Sequence, residues 1–124
     1  MQTITEKILS SHAGKKVYAG ELAVVWVDGI MASNANVRHA VKAFEEMGGV
    51  KLWDAQECTF VIDHASPALN ERIANLHKFV RDFAVNQSIR LFDVGEGICH
   101  QLLVERDFVR PMRVFIGADS HTCT

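Results

Sequence analysis

Acidic and imidazole side chains occur together at three places in the sequence. Asp63 and His64 are adjacent, Asp119 and His121 are separated by one residue, and His100 follows an acidic stretch. A carboxylate that accepts a hydrogen bond from an imidazole selects the tautomer of the ring and raises its basicity. Pairs of this kind are suited to moving a proton to or from a hydroxyl group or a water molecule, and also to binding a metal ion. These residue types therefore indicate acid–base or metal chemistry.

The same residues allow other interpretations. Ser120 lies between Asp119 and His121, but a catalytic triad is not predicted because adjacent side chains point apart. A mononuclear metal site formed by His64, His100 and His121 is a further hypothesis. Each acid could instead cap the segment that comes after it, and each histidine could be an ordinary hydrogen-bonded loop residue.

The remaining polar signals are weaker. His77 lies in a predicted helix, which indicates a surface or packing role, and His12 and His39 have no partner in the sequence pattern. Residues 95–97 (GEG) resemble half of a phosphate-binding loop but lack its remaining glycine. We assign none of the three histidines to the candidate site, and we predict no phosphate-binding loop.

The acidic and imidazole residues follow short apolar runs that predict β-strands. Four such runs occur, at 22–27 (LAVVWV), 59–62 (TFVI), 90–92 (RLF) and 113–116 (RVFI). They are apolar without a polar alternation, which is typical of strands buried on both faces of a parallel sheet. Ligands bind beyond the carboxyl ends of such strands. Because acids and imidazoles follow the last three runs, we expect these groups, with Asp93 and Glu96 among them, to converge on one edge.

Helical periodicity separates the predicted strands. Thr3 and Glu6 have the spacing of a capping box at the start of a first helix. The apolar spacing of residues 37–47 predicts a second helix, and a third follows a predicted cap at Asn70. Residues 98–104 form a helical or irregular stretch. Strands and helices therefore alternate along the chain, as in α/β domains.

The length and composition exclude several classes of protein. A chain of 124 residues is long enough for one domain with a core, and we predict a single α/β domain with three α/β/α layers and a largely parallel sheet over residues 1–124. The net charge of −2 favours no nucleic-acid partner. No apolar stretch approaches the ~18 residues of a membrane span. Cys58, Cys99 and Cys123 form no CxxC pair, which is typical of cytosolic thiols rather than of a disulfide framework or a zinc site.

Four strings carry a family resemblance over essentially the whole chain. In sequence order they are FVIDHASP, LHKFVRDFA, DVGEGICHQ and GADSHTCT. They resemble the N-terminal part of the aconitase superfamily, and within it the branch of the 3-isopropylmalate dehydratase and homoaconitase large subunits. The resemblance implies a cytoplasmic hydro-lyase of the leucine-biosynthesis type, which isomerises a hydroxy di- or tricarboxylic acid by dehydration and rehydration. It also implies a 4Fe-4S cluster in the full-length protein and a small, swivelling-domain subunit as partner.

The resemblance also implies roles for individual residues. Asp63 and His64 would lie near the substrate hydroxyl or a water molecule, and His100 would supply a second imidazole there. Asp119 and His121 would form another acid–imidazole pair. Ser120 would contact a substrate carboxylate. These roles agree with the cluster predicted from the strand ends.

One segment departs from the family pattern. The loop before the second helix usually resembles MA-H-D-G-T, whereas residues 31–36 here read MASNAN. Arg38 follows this loop, and a guanidinium is suited to binding a substrate carboxylate. Arg38 could equally be a solvated helix residue. The identity of the hydroxy acid therefore stays open among isopropylmalate, homocitrate, citrate and methylated malates.

The cysteines depart from the pattern as well. In the family, the three cluster-binding cysteines come far downstream of these motifs, and Cys58, Cys99 and Cys123 do not match them. We expect that the chain is an N-terminal fragment of a large subunit that binds no cluster by itself, self-associates and lacks dehydratase activity. The alternative is a short, non-catalytic paralogue that acts as a subunit-interaction or dicarboxylate-binding domain.

Overall fold

Helices and strands alternate along the chain in the computed structural model, which describes residues 1–123. In chain order the elements are α1 (Ile4–Ala13), β1 (Gly29–Ser33), α2 (Asn34–Glu46), β2 (Cys58–Val61), α3 (Glu71–Gln87), β3 (Arg90–Phe92), α4 (Cys99–Glu105) and β4 (Phe115–Ala118). The last residue of the GADSHTCT string, Thr124, lies outside the described residues.

The four strands form one parallel sheet in the order β3-β2-β1-β4. In the registers, Ala32 of β1 lies opposite Phe60 of β2 on one side and Ala118 of β4 on the other. The predicted α/β class with a parallel sheet is therefore confirmed. Because β1 is hydrogen-bonded to both β2 and β4, the carboxyl ends of these three strands lie side by side.

The predicted strand at 22–27 is wrong. This segment forms no strand, and Leu22, Val24 and Trp26 are 96%, 88% and 68% exposed. The strand between β2 and β4 is β1 instead, although its sequence, GIMAS, has a weaker strand propensity. A Cβ atom at Gly29 would collide with the ring of Phe115 on β4. Glycine at position 29 therefore leaves room for the Phe115 ring to lie against the start of β1.

Side chains of the sheet pack on both of its faces. Successive residues of a strand point to opposite faces. Phe60 packs with Val37, Val41 and Val80 of α2 and α3, whereas Val61 packs with the cluster around α4. The three-layer arrangement is therefore confirmed, with α2 and α3 on one face of the sheet and α4 on the other.

Local signals set most of the helix boundaries. Both hydrogen bonds of the predicted capping box between Thr3 and Glu6 are present at the start of α1. The Asn70 side chain accepts a hydrogen bond from the amide of Ile73 and caps α3, as predicted. Ser33 occupies the cap position of α2 but makes no side-chain cap hydrogen bond. Among residues 1–123, no helix combines the length and apolar character needed to cross a membrane.

Candidate functional site

The candidate site lies where β1, β2 and β4 end. Ser33 is the last residue of β1, Asp63 and His64 follow β2 after one residue, and Asp119 directly follows β4. His100 reaches the same place from α4, which begins one residue earlier. The prediction that acids and imidazoles from separate strand ends converge is confirmed for these residues.

Asp119 is the centre of the cluster. Nε2 of His100 lies 2.9 Å from Asp119 Oδ1, and Nε2 of His64 lies 3.5 Å from Asp119 Oδ2. The side chain of Asp119 is only 5% exposed. The hydrogen bond from His100, followed by the hydrogen bond from the His121 amide, lowers the pKa of Asp119 to about 2. Asp119 is therefore a carboxylate at any physiological pH, held between two imidazoles.

Asp63 fixes the other side of His64. Nδ1 of His64 lies 2.7 Å from Asp63 Oδ1, and the amide of Cys99 donates to Asp63 Oδ2 at 2.8 Å. Burial opposes the ionisation of Asp63, but the bonds from Cys99 and His64 together lower its pKa. Asp63 thus binds the first turn of α4, a helix distant in sequence, and does not cap the segment that comes after it. His64 lies between two carboxylates, with 47% of its side chain exposed.

Ser120 and His121 form the exposed rim of the cluster. The Asp119 carboxylate accepts a hydrogen bond of 3.0 Å from the amide of His121. The hydroxyl of Ser120 lies 3.2 Å from Nδ1 of His121, and the same nitrogen lies 3.6 Å from Asp119. A catalytic triad needs the two ring nitrogens to face the serine and the acid separately. Because one nitrogen faces both groups here, the arrangement does not activate Ser120 as a nucleophile.

The turn that carries these residues folds back onto β4. Thr122 donates from its hydroxyl to the carbonyl oxygen of Asp119 at 2.9 Å. A Cβ atom at Gly117 would collide with the side chain of Thr122. Glycine at this position therefore permits the close approach that holds Asp119 beside the imidazoles.

A cleft of about 310 Å³ opens beside the cluster, between α4 and β4. His100 and His121 line its polar side, and Leu103, Val109 and Phe115 are among its apolar residues. Small-molecule pockets are usually ~300–1,000 Å³ and mostly apolar, with a few polar groups that orient the ligand. The cleft is therefore large enough for a small organic acid whose polar end faces the imidazoles.

Three residues predicted near this edge make their contacts elsewhere. Arg81 binds Asp93 with two hydrogen bonds of 2.7 and 2.6 Å, and Glu96 accepts a hydrogen bond from the Asp93 amide. These acids follow β3, which is separated from β4 by two strands, and Arg81 holds Asp93 there, so the expectation that they join the cluster is wrong. Arg38 is exposed on α2, and its guanidinium lies over the ring of Phe79 at 5.4 Å.

Comparison with known proteins identifies the family. The sequence profile of the Aconitase family (aconitate hydratase) matches residues 6–124. The chain belongs to the aconitase family. The matching residues, 6–124, include every residue of the cluster described above, so the cluster is part of the family domain.

Relatives of the aconitase family match the chain from end to end. The 3-isopropylmalate dehydratase large subunits of Sulfurovum sp. and Methanoregula boonei are 46% and 39% identical over 125 and 121 residues. The homoaconitase large subunit of Thermus thermophilus is 40% identical over 123 residues. These alignments cover 98–99% of this chain. The chain spans about 29% of the length of these curated relatives.

Members of the aconitase family generally carry a 4Fe-4S cluster, which is held by cysteine thiolates. Burial raises the pKa of Cys58 to about 11, and burial together with the carboxylate of Asp63 raises the pKa of Cys99 to about 12. Both thiols therefore stay protonated. Among the described residues, one group could hold a metal ion, because its ligand atoms lie within 4.8 Å of one another: Cys99, His100 and Asp119. The predicted metal site of three imidazoles is not such a group. A 4Fe-4S cluster needs several thiolates, and two of the three cysteines among residues 1–123 are buried with protonated thiols, so these residues do not fit such a cluster.

Two residues behind the site were not predicted from the sequence. Asn34 belongs to a segment whose residue types indicate turn and cap chemistry, and the position of His77 in a helix indicates a surface or packing role. Both are 2% exposed, and Nδ2 of Asn34 lies 3.0 Å from Nε2 of His77. The departure of residues 31–36 from the family pattern was the signal that could have drawn attention to Asn34.

Proposed function

We propose that these residues form one wall of the active site of a hydro-lyase, which isomerises a hydroxy di- or tricarboxylic acid by removing water and adding it back. The observation that carries the proposal is the convergence of His64 and His100 on the ionised Asp119. The likeness to 3-isopropylmalate dehydratase and homoaconitase large subunits supports a substrate of this chemical class.

Removal of water breaks a C–O bond and a neighbouring C–H bond, and a C=C bond forms. The departing hydroxyl group needs a proton, and an imidazole is the side chain best suited to hold one near neutral pH. Nδ1 of His64 is bonded to Asp63, and its Nε2 lies at the less tight distance of 3.5 Å from Asp119. Nε2 of His64 is therefore the atom that we propose delivers this proton and recovers it from water in the reverse step.

The other residues of the cluster support this transfer. Asp63 and Asp119 lie 2.7 and 3.5 Å from the two ring nitrogens of His64, and Asp119 also binds His100, so the two carboxylates hold both rings in their orientations. His100 and His121 line the cleft and hold the hydroxyl group or water molecule in place. Ser120 and Arg38 are the proposed contacts of the substrate carboxylates. The base that removes the proton from carbon is not assigned to these residues.

The cofactor and partner proposals concern protein outside the described residues. The 4Fe-4S cluster would take its thiolates from elsewhere, and the small subunit is proposed as the partner that completes the site. We therefore propose that residues 1–124 alone have no dehydratase activity. The second candidate function, a non-catalytic domain that binds a dicarboxylate or a subunit, is favoured by the altered loop at 31–36.

The experiment that tests the proposal measures dehydratase activity of the whole protein, purified together with its small subunit and supplied with iron and sulfide, on a panel of hydroxy acids. The panel contains 3-isopropylmalate, homocitrate, citrate and a methylated malate, and the new C=C bond is followed by its ultraviolet absorbance. Turnover of one acid that is lost in Asp119→Asn supports the hydro-lyase. Binding of these acids without turnover supports the non-catalytic domain instead.

A further inference from the structure

The turn that carries Asp63 and His64 is held from behind by one buried side chain. Oδ1 of Asn34 accepts hydrogen bonds from the amides of Asp63 and His64 at 3.2 and 2.9 Å. Nδ2 of Asn34 donates to the carbonyl oxygen of His64 at 2.8 Å. Asn34 thus binds three backbone groups of the two residues that position the imidazole.

The backbone partners settle the orientation of the Asn34 amide. Amide N–H groups only donate and a carbonyl oxygen only accepts, so Oδ1 must face the two amides and Nδ2 must face the carbonyl. The second hydrogen of Nδ2 then points to Nε2 of His77, 3.0 Å away. His77 must accept this bond, so its own proton lies on Nδ1. All four hydrogen-bonding positions of the buried amide are used.

The turn needs such a restraint. Ala65, the next residue, has a φ angle of 46°, which lies in the left-handed region that residues other than glycine rarely adopt. A backbone of this kind persists only where surrounding contacts hold it. Ser33, which precedes Asn34, also lies 3.5 Å from Asp119 through its hydroxyl. The start of α2 therefore touches both partners of His64.

We propose that Asn34, held by His77, is a positioning residue of the site: its amide sets the turn of Asp63 and His64 so that the His64 ring faces Asp119. The inference rests on the proposed function for its kinetic consequences only. Asn34 and His77 themselves do not touch the cleft, so neither is a catalytic residue.

The test uses Asn34→Asp in the whole protein, labelled with ¹³C and ¹⁵N at histidine. A carboxylate keeps the acceptor oxygen for the two amides but has no N–H for His64 or His77. We expect the His77 ring to change from protonation at Nδ1 to protonation at Nε2, and the signals of the His64 ring to shift. We also expect kcat to fall at least tenfold with less than a threefold change in KM, since misplaced catalytic groups slow the chemical step more than binding.

The matched control is Asn86→Asp, which adds the same charge at an exposed position of α3. It should leave the His77 tautomer, the His64 signals and the kinetic constants unchanged. A His77 ring protonated at Nε2 in the wild-type protein overturns the proposal. So do His64 signals that stay in place in Asn34→Asp.

A second pair of variants covers the case in which Asn34→Asp does not fold. His77→Gln offers an oxygen that can accept from Asn34, and His77→Leu does not. We expect kcat within threefold of wild type for His77→Gln and at least a tenfold loss for His77→Leu. Equal losses in the two variants contradict the proposal. A wild-type protein without hydro-lyase activity refutes the proposed function, but the tautomer of His77 and the His64 signals still decide the role of Asn34.

Discussion

The two ends of the parallel sheet hold histidine–aspartate pairs of opposite character. At the amino end, Asp28 precedes β1 and binds His12 of α1 at 2.7 Å. At the carboxyl end, Asp119 lies between His64 and His100. Both ends therefore combine the same residue types, and their different surroundings decide which pair can act on a ligand.

Both ring nitrogens of the imidazole at the amino end are used in hydrogen bonds. Nδ1 of His12 lies 2.8 Å from the carbonyl oxygen of Ile8, and its Nε2 faces the Asp28 carboxylate. Both partners only accept hydrogen bonds, so both nitrogens must donate and the ring is an imidazolium. Asp28 also accepts from the amide of Val114 at 2.6 Å, which ties β1 to β4. With 13% of the His12 side chain exposed, this pair joins α1 to the sheet and has no position left for a ligand.

The carboxyl-end imidazoles are less restrained. His64 and His100 have 47% and 34% of their side chains exposed, and Nε2 of His64 is 3.5 Å from its second carboxylate. The comparison teaches that an acid beside a histidine indicates chemistry only where the ring keeps an accessible nitrogen. Four predictions test this difference, from the largest expected effect to the smallest.

Substituting the aspartate of each pair should affect activity at the carboxyl end only. We expect Asp119→Asn to lower kcat by about 10²–10⁴-fold, the usual range for loss of acid–base catalysis, and also to lower the melting temperature, because a carboxylate whose pKa the fold lowers stabilises the fold. Asp28→Asn should lower the melting temperature by about 4–8 °C and leave kcat within twofold. Steady-state kinetics and thermal unfolding measure both. Similar kinetic losses in the two variants would remove the distinction between the two ends.

The thiols at the two ends should both react slowly. Cys58 begins β2 at the amino end and Cys99 begins α4 at the carboxyl end, and burial raises the pKa of both. Because the thiolate is the nucleophile, we expect alkylation of both by iodoacetamide at pH 8 to be at least about 100-fold slower than that of the exposed Cys123. Mass spectrometry of timed samples measures the three rates. Fast labelling of Cys99 alone would show that the carboxyl end opens to solvent.

Arg38 tests how far the carboxyl-end site extends along α2. If its guanidinium binds a substrate carboxylate, Arg38→Ala should raise KM by about tenfold with kcat unchanged, the usual size of a lost charged hydrogen bond. Arg72→Ala, an exposed arginine of α3, is the control. An unchanged KM in Arg38→Ala would assign Arg38 to the solvated surface, where it packs on Phe79.

The amino-end pair should make stability depend on pH in two directions. The Ile8 carbonyl and Asp28 raise the pKa of His12 above its ordinary value of 6.5, so its contribution is complete below pH 6.5 and is lost as the pH rises through the higher value. The Val114 amide and, to a smaller extent, His12 lower the pKa of Asp28 below 3.8, so its contribution is complete above pH 3.8 and is lost as the pH falls through the lower value. We therefore expect the melting temperature of wild type to exceed that of His12→Gln most between pH 4 and 6. A constant difference from pH 4 to 9 would contradict the imidazolium assignment.

Much of the site could be predicted from the sequence because the residues directly after short apolar strands lie at one edge of a parallel sheet. Asp63, His64 and Asp119 are predicted on this basis, and the structure brings them together with His100, which is predicted after the run at 90–92 and reaches the cluster from the start of α4. Asp93 satisfied the same rule but follows β3, which two other strands separate from β4, and Arg81 binds it there. Strand order, which decides between these outcomes, depends on contacts between residues far apart in sequence.

The sequence by itself determined the elements whose signals are local: the capped starts of α1 and α3, the periodic helix α2, and strands β2 and β3. Only the tertiary structure decided that GIMAS and not LAVVWV forms the strand between β2 and β4, because the strands that it pairs with lie far away in sequence. It also decided that His12 is sheltered by Asp28 and that Asn34 and His77 lie behind His64. The physical reason is the same in each case. The hydrogen-bond partners of a side chain come from segments that meet only when the sheet assembles, and no local pattern records which segments meet.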